Sequence, residues 1–350
     1  MQLLSLAVLV SLISSTISCG GHGHIQARNA PQFDLLPASA AGDPLNSDGY
    51  FTQLLGNGTY MITDGIFNCM FLVSTEGVIV VDVPASTGHR LFLAIGNVTH
   101  QPITHLVYSH MHADHIGGAS LVTARYPRAI IIAHSATQAY LTKLADSNRP
   151  VPQVTFDTSY TLRVGNQTLE LDYKGAAHID GNLFMFAPAP KALMVVDIVF
   201  PAWIPYSELG QAQDLYEYIR AHDLILEYDF DYYLGGHVGR AGNRTDVLVN
   251  KEYVGDLVTN CLAAINLTTT NDPVLGEAAL LGPVMASNPG NSWALSRVWT
   301  DATTAWCANK TNEKWEHRLA AADVYQNDNA GLVIRSLTVD YGVLGPFGVS

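Results

Sequence analysis

A cluster of histidine and aspartate residues directly after an apolar segment limits the folds that this chain can adopt. The segment Ser-His-Met-His-Ala-Asp-His-Ile-Gly-Gly follows the apolar run at residues 106–108. The pattern His110-x-His112-x-Asp114-His115 therefore lies in a loop at the end of a predicted strand. Buried imidazole and carboxylate groups cost free energy unless they are paired, and a divalent metal ion would pair them all.

One loop of this length is too short to enclose two metal ions, so further ligands are expected at the ends of other strands. Three candidates follow predicted strands farther along the chain, namely His178, Asp197 and His237. Asp197 ends the apolar run 193–196, where a carboxylate needs a polar partner. The sequence therefore predicts that distant segments contribute side chains to one metal site.

The order of the predicted elements indicates an α+β fold. Strand hairpins are predicted around Gly56-Asn57-Gly58, Glu76-Gly77 and Gly165-Asn166, because glycine and asparagine favour tight turns. Helices are predicted over residues 86–97, over 135–145 with Ser135 as the cap, and over 211–222. The predicted strands thus form hairpins first and then alternate with helices, and this pattern occurs a second time along the chain. This order predicts two mixed β-sheets packed face to face with helices outside, over residues 50–250.

The last hundred residues differ in composition from the rest of the chain. Residues 251–350 are richer in alanine, asparagine and threonine, and they contain four tryptophans, which are Trp293, Trp299, Trp306 and Trp315. We predict a helical C-terminal extension, in which the tryptophans pack in the core or at a subunit contact.

The first residues of the chain indicate export. Residues 1–19 contain no charged side chain and an apolar run from Leu3 to Ile13, which is typical of a signal peptide and too short to span a bilayer. The alternative is a lipid anchor at Cys19, which would place the protein in a periplasm or on a membrane. Residues 20–49 are rich in glycine, alanine and proline and are predicted to form a flexible leader.

Sequons and cysteines favour the secretory route. Six Asn-x-Thr sequons are consistent with an extracellular glycoprotein, and they begin at Asn57, Asn97, Asn166, Asn243, Asn266 and Asn309. Cys261 and Cys307 both lie in the last third of the chain, so they are predicted to form a disulfide in an oxidising compartment. Cys69 lies in an apolar run and is predicted to be a buried free thiol.

The charge balance excludes several classes of partner. Acidic residues outnumber basic residues 31 to 18, the formal net charge is −13, and no Lys/Arg-rich run is present. Because phosphate binding needs clustered positive charge, nucleic acids and anionic membrane surfaces are not expected as partners. Hydrophobic residues make up 48% of the chain, which is enough for a sizeable core and excludes intrinsic disorder.

The histidine motif and the downstream residues together resemble those of the metallo-β-lactamase superfamily, over about residues 50–250. The resemblance implies an αββα sandwich with two metal ions. One ion would be held by three histidines, which are His110, His112 and His178. The second would be held by Asp114, His115 and His237. Asp197 would bridge the two ions, and Asp82 resembles the structural aspartate of the family rather than a ligand.

This ligand set predicts hydrolytic chemistry. Two zinc ions can share one water, lower its pKa towards ~7 and direct the resulting hydroxide at a carbonyl group. Asp114 would orient the hydroxide and carry a proton, which makes it the predicted catalytic residue. Imidazole and carboxylate ligands suit zinc, although the ligand types also permit iron or manganese.

The substrate class follows partly from the resemblance. Asp197 at the fourth motif is similar to the lactonase, thioesterase and glyoxalase-II-like branches, whereas the lactamase subclass with a cysteine there is excluded. The predicted substrate is a small ester, lactone, thioester or amide. Two alternatives stay open: a metal-binding module without turnover, and a dioxygenase of the same fold with a single iron ion.

The segment after Asp197 is the predicted substrate wall. Pro201 and Pro205 stiffen this loop, and three aromatic side chains accompany them, which are Phe200, Trp203 and Tyr206. These rings are predicted either to form an apolar wall over the metal ions or simply to pack the loop down.

Overall fold

A computed structural model of the protein describes residues 33–348. The predicted signal peptide, Cys19 and residues 20–32 of the predicted leader lie outside the described residues. None of the helices in this range is long and apolar enough to cross a membrane. Twelve strands form two mixed β-sheets, and helices cover both of them.

The first sheet has seven strands in sequential order. Strands one to four pair antiparallel with their neighbours, and strands four to seven pair parallel, so the fourth strand belongs to both parts. The predicted hairpin around Gly56-Asn57-Gly58 joins the first two strands. The strands are β1 (Phe51–Gly56), β2 (Thr59–Thr63), β3 (Asn68–Val73), β4 (Val78–Val81), β5 (Ile103–Val107), β6 (Ile130–His134) and β7 (Val154–Phe156).

The second sheet has five strands, and their spatial order is β12-β11-β10-β9-β8. Only β11 and β12 pair parallel, while the other neighbours pair antiparallel. The strands are β8 (Ser159–Val164), β9 (Gln167–Tyr173), β10 (Leu183–Ala187), β11 (Ala192–Val195) and β12 (Tyr232–Leu234).

Both faces of the inner strands β10 and β11 are largely buried, which explains their continuous apolar runs. Successive side chains of a strand point to opposite faces. Leu183 and Met185 of β10 therefore pack in the core that the two sheets share. Phe184, between them, packs in a second core with Val254 and Val333 of the C-terminal helices. The predicted sandwich of two mixed sheets with a helical C-terminal segment is confirmed.

Eleven helical segments surround the sheets in the described range. They are α1 (Arg90–Gly96), α2 (Ala113–Ile116), α3 (Ala119–Arg125), α4 (Ser135–Leu144), α5 (Ser207–Gln211), α6 (Leu215–Leu226), α7 (Arg244–Leu267), α8 (Glu277–Leu280), α9 (Gly282–Ser287), α10 (Ser292–Trp315) and α11 (Ala322–Val339). Short 3₁₀ turns lie at Ala38–Ala40 and Gly345–Phe347.

The helical C-terminal segment begins at Arg244 rather than at residue 251. The cause is a capping box, in which the Asn243 side chain accepts from the backbone N–H of Thr245 and Asp246. The Asp246 carboxylate in turn accepts from the Asn243 N–H at 2.9 Å. The predicted disulfide joins Cys261 of α7 to Cys307 of α10, with the sulfur atoms 2.06 Å apart. Cys69 is free and buried, as predicted.

Three predicted helix starts are wrong. The helix predicted from residue 86 begins at Arg90. Helix α4 is capped by His134 rather than Ser135, because the His134 ring nitrogen Nδ1 accepts from the Ala136 N–H at 3.2 Å. The helix predicted from Gln211 begins at Leu215, where Asp214 caps it. The residues before it cannot extend this helix, because residues 208–211 wind in the left-handed sense with φ between +53° and +68°.

The described part of the predicted leader contacts the folded domain. The guanidinium of Arg240 donates to the backbone carbonyl of Ser39 at 2.8 Å. The Trp203 indole N–H donates to the carbonyl of Ala40 at 3.4 Å. These hydrogen bonds attach residues 34–49 to the loops that follow β11 and β12.

Candidate metal centre

The strand ends bring all seven predicted ligands to one edge of the sandwich. The His-x-His segment leads from β5 into the short helix α2, which carries Asp114 and His115. His178 follows β9, Asp197 follows β11 and His237 follows β12. A hydrogen bond from the Leu183 N–H to the Ser109 carbonyl, 3.0 Å long, ties the motif loop to the second sheet. The site therefore combines ends of strands from both sheets.

Asp197 lies at the centre of this cluster. Its Oδ2 atom is 3.1 Å from Nε2 of His115 and 3.3 Å from Nε2 of His178. The same oxygen is 3.5 Å from Nε2 of His110. Its other oxygen, Oδ1, is 3.0 Å from Nε2 of His237. One carboxylate thus faces four imidazoles.

The donor atoms fall into two groups, each with ligand atoms within 4.8 Å of one another. The first group consists of His110, His112, His178 and Asp197. The second consists of Asp114, His115 and His237. In the second group, Asp114 Oδ2 is 3.4 Å from Nε2 of His115 and 3.5 Å from Nε2 of His237. Both groups are able to bind metal.

Several of these donor atoms are buried, and the short distances between them lack the geometry of a hydrogen bond. They include Nε2 of His110, Nε2 of His115 and Oδ1 of Asp197. Burying such polar atoms unpaired costs free energy, and a cation coordinated by them would remove that cost. The convergence of orphaned nitrogen and oxygen atoms therefore fits bound metal ions.

The electrostatics of the cluster favour a bound cation. Burial alone would raise the pKa of the Asp197 carboxyl, but His115, His237 and His178 hold that pKa well below its usual range. Burial lowers the pKa of His178 to about 4 despite the nearby carboxylate, so this imidazole is a neutral electron-pair donor. An ionised carboxylate beside a neutral imidazole provides two electron-pair donors that suit a metal ion.

His237 experiences the opposite balance. Burial disfavours its charged form, but the carboxylates of Asp197 and Asp114 outweigh burial and raise its pKa to about 9. The two carboxylates therefore attract positive charge to the side of the cluster that opens to solvent.

Comparison with known proteins agrees with this geometry. Residues 62–237, which make up half of the chain, match the family model of the Metallo-beta-lactamase superfamily. The chain belongs to the metallo-β-lactamase superfamily. The match contains all seven candidate ligands, and it confirms the resemblance seen in the sequence. The lactonase or glyoxalase-II-like branch stays a prediction.

Two relatives of the chain are named for different enzyme activities. The chain is 26% identical over 211 residues to the 2,4-dinitroanisole O-demethylase subunit alpha of Nocardioides sp. (strain JS1661), which covers 55% of this chain and 59% of that protein. It is 26% identical over 136 residues to the Metallo-beta-lactamase type 2 of Elizabethkingia meningoseptica, over 36% of this chain and 50% of that protein. The chain thus spans about half to three-fifths of the length of these relatives.

A solved structure supports the fold. The metallo-beta-lactamase from Pontibacter korlensis superposes with a TM-score of 0.50 at 20% sequence identity. The superposition covers 59% of this chain and 99% of that one. The metallo-β-lactamase fold therefore accounts for only part of this chain, which has further helices besides.

Asn68 anchors the loop that carries His237. The sequence analysis did not predict this role of Asn68. Its side-chain amide donates to the backbone carbonyls of His237 and Val238, at 2.6 and 2.9 Å. Its Oδ1 accepts from the Gly236 N–H at 3.1 Å. An asparagine within the apolar run of β3 is the signal that could have revealed it.

Asp82 stabilises the loop on the other side of the cluster. It lies directly after β4 with φ +63°, and its Oδ1 accepts from the Ser109 N–H at 2.8 Å. Burial raises the pKa of this carboxyl to about 6 although His115 opposes the shift. Asp82 is absent from both groups of donor atoms, which agrees with the structural role implied by the resemblance.

A cavity of about 670 Å³ opens above the cluster. His112, Asp114 and His237 form part of its floor, and Phe200 and Tyr206 form part of its wall. The third predicted wall residue, Trp203, lines a smaller adjoining cavity of about 230 Å³ instead.

The C-terminal segment also reaches this cavity. Tyr325 of α11 lines it, with its ring centroid 4.9 Å from that of Tyr206. Sequence reasoning missed Tyr325, because its distance along the chain from the motif leaves no local signal. Phe67, in the loop between β2 and β3, completes the wall and lies 4.8 Å from the His237 ring, measured between centroids.

Asn329 of α11 supports the left-handed turn that borders the cavity. Its Oδ1 accepts from the Leu209 N–H at 2.7 Å, and its amide donates to the Pro205 carbonyl at 3.0 Å. A left-handed backbone costs roughly 1–2 kcal/mol for each residue other than glycine. The C-terminal helix therefore holds Gln211, at the rim of the cavity, in a conformation that the local sequence disfavours.

Proposed function

We propose that this protein is a secreted zinc-dependent hydrolase that acts on the carbonyl group of a small ester, lactone, thioester or amide. The observation that carries the proposal is the position of Asp197, whose two carboxylate oxygens face histidines of both donor groups. A carboxylate in this position suits a pair of metal ions that share it as a ligand.

Seven residues would hold two zinc ions. The first ion would be held by His110, His112 and His178, the second by Asp114, His115 and His237, with Asp197 shared. Metal ions at such sites polarise carbonyl oxygens and lower the pKa of water towards ~7. The buried orphan atoms of the cluster support this assignment, because coordination satisfies them.

The chain itself contributes a proton carrier and an apolar pocket. The Asp114 side chain is 44% exposed and lines the cavity, so its carboxylate can accept a proton from a nucleophilic water and transfer it to a leaving group. Phe67, Phe200 and Tyr206 would orient the substrate and exclude bulk water from the reacting carbonyl. We retain Trp203 as a more distant substrate contact through the smaller cavity.

We further propose that residues 1–19 direct export and are removed, and that residues 50–250 form the catalytic domain. The disulfide in the helical segment supports an oxidising location, as do the six sequons. N-terminal sequencing of the protein recovered from the medium of a secreting host tests this route. Recovery of a mature chain that begins at a lipidated Cys19 would instead support the anchored alternative.

Metal analysis followed by a substrate panel tests the hydrolase. Purified full-length protein should contain close to two zinc-class ions per chain and should hydrolyse at least one member of a panel of esters, lactones, thioesters and lactams. The panel should include 2,4-dinitroanisole, because one relative is named for its demethylation. A single iron ion with oxygen consumption would support the dioxygenase alternative. Bound zinc without any turnover would support a metal-binding module.

A further inference from the structure

A smaller side cavity adjoins the cavity above the histidine cluster. Its volume is about 230 Å³. Five residues line both cavities, so the two cavities are direct neighbours. They are Ile66, Phe200, Tyr206, His237 and Tyr325. The side cavity therefore lies beside the cavity that contains the histidine cluster.

The inner walls of the side cavity are apolar. They are formed by Trp203, Ile204, Val238 and Ala321, and no Lys, Arg, Asp or Glu is among the residues that line it. The polar side-chain groups of His237 and the two tyrosines lie on residues shared with the larger cavity, and the Trp203 indole N–H donates to the Ala40 carbonyl. A polar or charged group placed deep in this space would lose its hydration without a partner.

Backbone hydrogen bonds fix these walls. The Ile204 N–H donates to the Ala320 carbonyl at 3.1 Å, and the Ala320 N–H donates to the Ala202 carbonyl at 3.0 Å. Trp203 pairs with Ala320 in a parallel bridge. The cavity is thus formed before any ligand binds, so little conformational entropy is lost when it is filled.

Val238 is held in a conformation that is unfavourable for valine. Its φ is +62°, in the left-handed region that β-branched residues rarely adopt. Its N–H donates to the Ile66 carbonyl at 2.8 Å, and its carbonyl accepts from Asn68 at 2.9 Å. Glycine would adopt this backbone without strain, whereas the isopropyl group of valine adds apolar surface to the cavity. Strain of this kind is typical of positions with a role in binding.

We propose that the side cavity binds the aliphatic part of an acyl substrate whose carbonyl lies at the histidine cluster. This inference rests on the hydrolase function proposed above and narrows its substrate class. Ala321 and Tyr325 lie outside residues 62–237, which match the family. The C-terminal segment therefore supplies part of a specificity pocket to the catalytic domain.

A series of 4-nitrophenyl esters from acetate to decanoate tests the proposal on the metal-loaded full-length protein. Burying one methylene is worth about 0.8 kcal/mol, which corresponds to roughly a fourfold rise in kcat/KM. We expect kcat/KM to rise by this factor with each added methylene and to level off once the side cavity is full. Equal kcat/KM at all chain lengths would overturn the proposal.

Ala321→Leu tests the location of the aliphatic chain. Ala321 has φ +64° and lines the side cavity, so leucine would fill part of that space. We expect the ratio of kcat/KM for octanoate over acetate to fall at least tenfold. Ala145→Leu is the control, because Ala145 is also an alanine beside a helix end in the left-handed region, with φ +55°. Ala145 follows α4, whereas Ala321 precedes α11, and Ala145 is exposed and lines neither cavity. An unchanged ratio in Ala321→Leu would overturn the assignment.

A second variant protects the test against misfolding. Val238→Gly relieves the strained backbone and removes apolar wall, so we expect the octanoate-to-acetate ratio to fall while the folded state persists. Val274→Gly, at a position 67% exposed and outside both cavities, is its control. A fall of the same size in both variants would contradict a specific role of Val238.

Calorimetric titration with 1-octanol separates this inference from the proposed function. Octanol binding that is weakened by Ala321→Leu, without hydrolysis of any ester, lactone, thioester or lactam of the panel, would support the apolar pocket and refute the hydrolase. Hydrolysis without chain-length preference and without octanol binding would refute the pocket and leave the hydrolase standing. Absence of both binding and hydrolysis would refute both.

Discussion

The side-chain amide of Asn68 donates a 2.6 Å hydrogen bond to the backbone carbonyl of His237. Asn68 is the first residue of β3 in one sheet, and His237 follows β12 in the other. The Asn68 backbone N–H also donates to the Gly236 carbonyl at 2.9 Å. One buried side chain therefore connects the two sheets at the loop that carries the candidate ligand His237.

Asn68→Ala should weaken the second metal site more than the first. The substitution leaves the Gly236 N–H and two carbonyls without their partner, which costs about 1–3 kcal/mol of unfolding free energy. Loss of such a positioning residue typically lowers metal affinity 10–100-fold. Urea denaturation and metal titration measure the two effects.

Asn260→Ala is the control for this prediction. Asn260 is half-buried in α7, where its amide donates to the Thr311 hydroxyl at 3.1 Å, far along the chain from the candidate ligands. Its loss should leave metal content unchanged. Equal metal loss in both variants would show that Asn68 has no specific positioning role.

The strands and the motif loop were predictable because their determinants are local. Alternating or continuous apolar runs mark β3, β4, β10 and β11, and glycine-containing turns mark the hairpins between strands. The candidate ligands from His110 to His237 each follow the end of a predicted strand, so their positions were also predictable. Chemistry that resides at strand termini is thus visible in the sequence itself.

Other features depend on contacts between distant segments. The left-handed turn before α6 depends on Asn329, more than a hundred residues later, so helix propensity alone predicted a start at Gln211. Tyr325 reaches the cavity only because α11 packs beside that turn. Neither arrangement leaves a periodic pattern in the local sequence.

Asp114→Asn should reduce turnover much more than it raises KM. An amide keeps the size of the side chain and one oxygen, but it has no charge and cannot accept the proton. Loss of acid–base assistance typically costs 10²–10⁴-fold in rate. Steady-state kinetics at measured metal occupancy test this expectation. Near-wild-type turnover with two ions bound would remove Asp114 from the mechanism.

The disulfide should stabilise the helical segment. Cys261 and Cys307 are separated by 46 residues, and closing a loop of that length is worth roughly 4 kcal/mol in the chain-entropy model. Cys261→Ala together with Cys307→Ala should therefore lower the unfolding free energy by an amount of that order. Denaturation of the variant and of the parent measures the difference, and an unchanged midpoint would contradict the prediction.

Cys69 should resist alkylation in the folded protein. It is fully buried, and burial raises the pKa of its thiol well above the usual range, so little reactive thiolate forms. Iodoacetamide should modify Cys69 only after denaturation, as peptide mapping would record. Rapid labelling of the native protein would place this thiol at the surface.

Gly236→Ala should disturb His115 through direct contact. Gly236 has φ +83°, and a Cβ atom there would lie 2.5 Å from Val196 Cγ1 and 2.9 Å from His115 Cε1. The substitution therefore adds overpacking, at about 1–3 kcal/mol, to the cost of a left-handed alanine, at about 1 kcal/mol. We expect lower unfolding free energy together with reduced metal content, measured by denaturation and elemental analysis.

Gly290→Ala isolates the backbone part of this effect. Gly290 has a similar φ of +79°, but no atom lies within 4 Å of the position that its Cβ would occupy. This variant should lose only the ~1 kcal/mol of the left-handed alanine and should keep its metal. If Gly236→Ala behaved like Gly290→Ala in both measurements, close packing of Gly236 against His115 would play no part in shaping the second metal site.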